Sequence, residues 1–260
     1  MITKQRKPVR EQFLELLSEL VKKGIRMKYR NSVLGIIWSL FEPLLSILVY
    51  VMIFGTLFNH RDLNFAVYVS CVRLLYTFFS NGTRDACVSI RSNADILRKV
   101  YVSQYLYPLS GILWNYIIFL VSLVVLIPFC LAARLTLTPQ IVWVLPALVL
   151  LFVLTTGTGL ILSCCNVFIR DVEYIWRVSL TLIMYVSAIF YYPDAILQSD
   201  LSFILKLNPV YGIIGLFRSG IFGTEVTAWM ALYPTAISFA ILLMGILLFH
   251  KFRRRFVLYV

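Results

Sequence analysis

Charge is scarce in this sequence. Only 14% of its 260 residues are Asp, Glu, Lys or Arg, against about 25% in an ordinary soluble domain. A soluble domain of this size needs charge along its whole surface. Here the basic residues gather in short clusters, and long apolar runs separate them. Histidine is rarer still: His60 and His250 stand alone, without a thiol or carboxylate partner nearby, so no metal site is expected. The five cysteines, Cys71, Cys87, Cys130, Cys164 and Cys165, are odd in number and form no CxxC pair. They read as free thiols in apolar surroundings. No GxxxxGK[ST] loop is present to cradle nucleotide phosphates. No Ser-His-Asp set or carboxylate pair stands out; Asp85, Asp95, Asp171 and Glu173 each have basic neighbours. These absences exclude an ordinary globular enzyme, a disordered chain and a disulfide scaffold.

What the chain has is apolar length: 60% of its residues are hydrophobic. A membrane-spanning helix needs about 20 mostly apolar residues. Six stretches qualify, at 33–58, 64–81, 105–133, 141–167, 174–192 and 228–249. The second is weakened by Arg73. The first thirty residues are basic and amphipathic, which does not fit a cleavable signal peptide.

The excess of 24 basic over 12 acidic residues would suit nucleic acid, but its distribution argues for topology instead. Nine Lys and Arg fall in 1–32, four in 81–104, two in 168–177 and four in 250–260. The alternate segments 59–63, 134–140 and 193–227 hold one, one and two. The positive-inside rule then puts both termini in the cytosol, with the basic clusters against anionic lipid headgroups. The glycosylation sequon Asn81-Gly82-Thr83 falls near the cytosolic side and carries no weight.

Two segments differ from simple spans. In 8–30, Phe13, Leu16, Leu17, Leu20, Gly24 and Met27 recur at helical spacing, with Glu15, Glu19, Lys22, Lys23, Arg26 and Arg30 on other faces. This predicts an amphipathic helix on the inner surface, either a plain anchor or the border of a partner site or substrate entrance. The segment 193–227 is too apolar for a soluble loop, yet Asn208-Pro209 and four glycines break it. It reads as short helices dipping into the outer leaflet, a geometry tolerated only against protein or a water-filled cavity. The expected fold is therefore an all-α integral membrane domain over 1–260. It has six transmembrane helices, five of them in 33–192, then the outer helices and a last span at 228–249.

Glu42 and Arg73 fall about ten residues into their spans, which at 1.5 Å per residue puts both near mid-membrane. Such charges are costly and are usually paired or face a cavity. Either they form an ion pair, or Arg73 faces a pathway and meets an anionic substrate group. Aromatic residues make up 15% of the chain. Phe41, Tyr50, Phe54 and Phe58 on the first span, and Tyr185, Phe190, Tyr191 and Tyr192 on the fifth, are either core and belt residues or a channel lining on which sugar rings stack.

Three strings carry a family resemblance. The first is Met27-Lys28-Tyr29-Arg30-Asn31-Ser32-Val33-Leu34-Gly35-Ile36-Ile37-Trp38, followed by Glu42-Pro43-Leu44. The second is Ile169-Arg170-Asp171-Val172. The third is Leu207-Asn208-Pro209-Val210, leading to Phe217-Arg218. Together, over nearly the whole chain, they resemble the permease subunits of type-2 ABC exporters for lipid-linked polysaccharides, the O-antigen, capsule and wall teichoic acid permeases.

The resemblance implies a homodimer in the cytoplasmic membrane of a bacterium, paired with two copies of a separate ABC ATPase. No cofactor is expected on this chain; ATP and Mg would be held by the partner. A cytosolic coupling helix would occupy 89–101, with Ile90, Ile96, Leu97 and Val100 entering a groove on the ATPase and Arg91, Asp95, Arg98 and Lys99 at its rim. The alternative for this segment is a solvated loop. Tyr29, Arg30 and Trp38 would border the substrate entrance, where a guanidinium meets a pyrophosphate. Phe41, Tyr50, Phe54, Tyr185 and Phe190 would line the channel. Arg73 departs from the apolar or small residue expected there, and Tyr101-Val102-Ser103-Gln104 lacks the proline common after the coupling helix. The rivals are a stand-alone membrane enzyme or flippase for polyprenyl-linked sugars, and an ABC exporter of drugs or small lipids.

Overall fold

The computed structural model describes residues 9–30, 32–57, 63–99, 102–136, 138–188 and 202–259. These fold into helices alone. In chain order they are α1 (Val9–Tyr29), α2 (Trp38–Leu57), α3 (Leu63–Ser92), α4 (Ala94–Lys99), α5 (Leu106–Ser122), α6 (Leu126–Ala132), α7 (Val144–Phe168), α8 (Val172–Val186), α9 (Ser202–Leu207), α10 (Pro209–Phe222) and α11 (Ala228–Tyr259). Among the described residues, Leu106–Ala132, Pro139–Phe168 and Ala228–Phe256 are long and apolar enough to cross a membrane, while Gly35–Tyr50 and Pro209–Phe222 are shorter apolar helices.

α7 is the central post. It packs most extensively against α11 and α3, and α3 in turn packs against α5. The α7–α11 crossing is close because Gly157 and Gly245 face each other's backbones. A Cβ at 157 would lie 2.5 Å from the Leu242 backbone nitrogen, and one at 245 would lie 2.6 Å from the Gly157 oxygen. Between apolar helices, where lipid competes equally well for side chains, such small residues supply the contact. The main core joins Val72, Leu75 and Phe79 of α3 to Leu151 and Leu154 of α7 and to Ile213 and Phe217 of α10. All five cysteines are free thiols, and Cys71, Cys87 and Cys164 are buried.

Polar ties stitch this core. The Asn166 side-chain amide donates to the Cys87 carbonyl at 3.0 Å, the Trp176 indole to the Thr83 hydroxyl at 3.0 Å, and the Tyr76 hydroxyl to the Leu180 carbonyl. These bonds fasten α7 and α8 to α3.

Several sequence expectations change in detail. The helix that carries the second stretch continues past Asn81. α3 runs 30 residues to Ser92, about 45 Å, because Thr83, Ala86 and Cys87 remain buried and hold the helix together beyond the apolar run. The sequon therefore lies inside a helix. The helix that carries the last span continues past Phe249. α11 runs to Tyr259 because Phe249, Phe252, Phe256 and Tyr259 share one face, Phe252, Phe256 and Tyr259 packing on Phe168 and Phe249 on Phe256, leaving the basic residues for the other face. On α1 the inward face is Phe13, Leu17, Leu20, Val21, Gly24 and Ile25, whereas Leu16 and Met27 are exposed. The segment 193–227 does contain short helices, α9 and α10; its residues before 202 lie outside the described ones. α10 starts on an Asn208 cap, whose side chain accepts from the Val210 amide, with Pro209 in its first turn, and ends on left-handed Gly223.

Candidate functional site

α1 packs along α5, most closely at Gly24. A Cβ at Gly24 would fall 2.7 Å from the Trp114 ring, so only glycine lets the helix approach. The docking brings Tyr29, at the end of α1, beside Ser39 and Glu42 at the start of α2. Burial, then the negative charge of Glu42, pushes the Tyr29 phenol above its ordinary value, and Ser39 acts the other way. Arg30, next in the chain, is exposed, and Trp38 opens α2 half-exposed. The three residues expected at an entrance thus share one corner of the molecule.

Behind that corner lies a polar cleft between α1, α2, α3 and α5. Lys28, Glu42, Arg73, Thr77, Asn81 and Asn115 are among its lining residues. Its floor is tied by the Ser122 hydroxyl, which donates to the Ser39 carbonyl at 2.8 Å. Glu42 and Arg73 share this cleft, but no salt bridge joins them among the described residues. The Arg73 guanidinium instead lies over the Tyr50 ring, 5.3 Å from its centroid, a favourable use of a cation in apolar surroundings.

The aromatic residues separate. Phe41 and Tyr185 are exposed on α2 and α8. Tyr50 turns inward against the core and Arg73. Phe54 falls within α2 but its side chain lies outside the described ones, as do Phe58 and Phe190 to Tyr192 entirely.

The expected coupling segment divides in the same way. Ile90 ends in α3 and Leu97 in α4, and both are buried in a second core with Tyr107, Leu160, Phe249 and Phe256. Asn93 separates the two helices; its amide donates to the Ser89 carbonyl at 2.8 Å, and its backbone carbonyl accepts from Ile96 and Leu97. Ile96 is left exposed, along with Asp95, Arg98 and Lys99. Arg91 lines a surface pocket with Arg170, Glu173 and Tyr259. Val100 is outside the described residues.

Sequence reasoning missed two buried polar features. Asn115 donates to the Asp85 carboxylate at 2.8 Å, tying α5 to α3. Arg218, which the sequence placed in the outer segment 193–227 without naming its partner, is only 9% exposed. It donates to the Ala188 carbonyl at 3.1 Å and more distantly to that of Tyr68, and its guanidinium lies 3.3 Å from the centre of the Tyr68 ring. It clamps α10 to α3 and to the end of α8. The apolar stretch around it was the available signal, since a lone Arg there must find carbonyls or a ring.

A bundle of apolar helices around a cleft lined by charged and amide side chains is the architecture of a polytopic membrane protein. The chain belongs to the ABC-2 type transporter family, which it matches over residues 15–222. It is similar to the O-antigen export system permease protein RfbA of Klebsiella pneumoniae, 27% identical over 247 residues and 93% of both chains. It is also similar to RfbA of Myxococcus xanthus, 28% identical over 80% of both. The capsule polysaccharide export inner-membrane protein CtrC of Neisseria meningitidis is 22% identical over 92% of this chain and 91% of its own. Membership of this family implies an ABC ATPase as partner and a membrane setting, and the named relatives are transport proteins, not enzymes.

Proposed function

We propose that this chain is the permease subunit of an ATP-driven exporter that carries a polyprenyl-pyrophosphate-linked polysaccharide, or a related polyol-phosphate polymer, across the cytoplasmic membrane. The observation that carries the reading is a correspondence over more than nine-tenths of the chain to permeases named for O-antigen export. Two copies would pair with two ATPases, with both termini in the cytosol and six spans per copy. The exposed apolar faces of α2 (Leu45, Leu48, Met52) and α8 (Val178, Leu182, Tyr185) support a second copy, because a channel between copies needs walls that one copy leaves open. Phe41 and Tyr185 would offer sugar rings sliding contacts that bind weakly enough to release. Arg30, beside Tyr29 and Trp38, would meet the pyrophosphate at the entrance. α4 would enter the ATPase groove with Ile96 as its apolar contact and Asp95, Arg98 and Lys99 at the rim, while Ile90 and Leu97 hold α4 to the bundle.

The test is co-expression with the ATPase encoded beside it, followed by purification and ATP hydrolysis. A stable complex whose hydrolysis responds to lipid-linked glycan supports the reading, provided Ile96→Asp abolishes the response and leaves the chain folded. A chain that purifies alone and ignores Ile96→Asp would favour a stand-alone enzyme or flippase.

A further inference from the structure

A groove of about 500 Å³ opens beneath α1, between it, the basic end of α3 and the first half of α5. Its volume lies within the range of about 300–1,000 Å³ common for small-ligand sites. Three cations line it: Lys23 and Lys28 from α1, and Arg84 from α3. Its one acid, Asp85, already accepts from Asn115 at 2.8 Å. The groove is therefore net positive. Asn81 and Asn93 add amides near the cations, and Leu20, Met27 and Trp114 add apolar wall. Lys28 sits 5.8 Å from the Trp114 ring centre, next to the Gly24 contact that docks α1.

This combination has a specific chemistry. Cations drawn from two helices, set over apolar wall at the basic end of a membrane bundle, match a phosphate headgroup whose acyl chains continue along the helices. Lys23, Lys28 and Arg84 are solvent-exposed, yet they come from two helices and line one groove. The entrance corner at Arg30 and Trp38 contributes no residue to this groove.

We propose that the groove binds the phosphate of an anionic phospholipid, and that the bound lipid bridges α1 to α3 and α5 and so fixes the interfacial helix. The proposal does not depend on which cargo is exported.

The test compares the melting temperature of the purified full chain in nanodiscs of phosphatidylcholine with discs containing phosphatidylglycerol. Phosphatidylglycerol should give a saturable rise of about 5 °C at a hundredfold excess over its dissociation constant. Lys28→Gln with Arg84→Gln should lose that rise, each variant being read against its own value in phosphatidylcholine. Lys251→Gln with Arg254→Gln, on the basic end of α11, should keep it. Asp85→Asn removes the groove's negative charge and should tighten lipid binding severalfold, a gain that a misfolded variant cannot imitate. Equal melting in the two lipids, or a full rise in the Lys28/Arg84 variant, overturns the proposal. So does the same rise with inorganic phosphate, which would make the ligand a free anion. Displacement of phosphatidylglycerol by stoichiometric polyprenyl pyrophosphate would assign the groove to the cargo lipid and also overturn it.

Discussion

The α3–α7–α11 side of the molecule and the α2–α8 side are built from the same apolar alphabet and end differently. On the first, glycines bring backbones together, and Asn166, Asn115 and Thr83 make hydrogen bonds between helices. On the second, Phe41, Leu48, Met52, Val178, Leu182 and Tyr185 are exposed. In a membrane, apolar exposure costs nothing against lipid tails, so hydrophobicity cannot decide which helices meet. Small residues and polar ties decide it. α8 carries such ties too, through Trp176 to Thr83 and Tyr76 to Leu180, and the faces of α2 and α8 turned away from them are left available for another surface.

The comparison can be broken most severely at the closest crossing. Gly157→Leu forces a side chain into the Leu242 backbone. It should cost about 3 kcal/mol or more and be seen as loss of the monodisperse peak in detergent; a normal peak and melting temperature would show the crossing is loose. Next comes the Arg218 clamp. Arg218→Ala removes the Ala188 hydrogen bond and the Tyr68 ring contact and should lower stability by about 2–4 kcal/mol. Arg218→Lys should recover part of this, since a point charge reaches a carbonyl but stacks less well on the ring. Asn115→Leu leaves the Asp85 carboxylate without its amide and should cost about 1–3 kcal/mol, measured as a shift in thermal unfolding. Smallest should be Phe41→Ala and Tyr185→Ala on the exposed side, within about 0.5 kcal/mol of the parent, while polymer export by cells carrying them falls. Stability losses as large as that of Asn115→Leu would place these aromatics in the fold rather than on a transport surface.

Buried and exposed aromatics look alike in a linear chain. Phe41 and Tyr50 sit on one helix, and nothing in the spacing of aromatic residues said that Tyr50 would turn to Arg73. The same holds for Ile90, Ile96 and Leu97: all three suit a partner's groove by type, but Phe249 and Phe256 arrive from 150 residues away to cover two of them. The interfacial helix was legible because amphipathic spacing is local, and α1 spans Val9–Tyr29 where 8–30 was expected. The polar cleft was half legible. Glu42 and Arg73 announced themselves as charges in apolar runs, whereas Lys28 and Asn115 looked like ordinary polar residues. Arg218 stood in a segment read as dipping into the outer leaflet, but its partners, the Ala188 carbonyl and the Tyr68 ring, are distant in the chain.

The sequence by itself determined the class, the helical elements, the family and the segregation of basic charge, because each depends on composition or on residues close together in the chain. Tertiary structure alone decided which faces of those helices are covered, that Glu42 and Arg73 share a cleft without a salt bridge, and that Lys23, Lys28 and Arg84 meet in one groove. These depend on the approach of helices distant in sequence, and that approach is set at a few places, Gly24 on Trp114 and Gly157 on Leu242, where a missing side chain lets two backbones close.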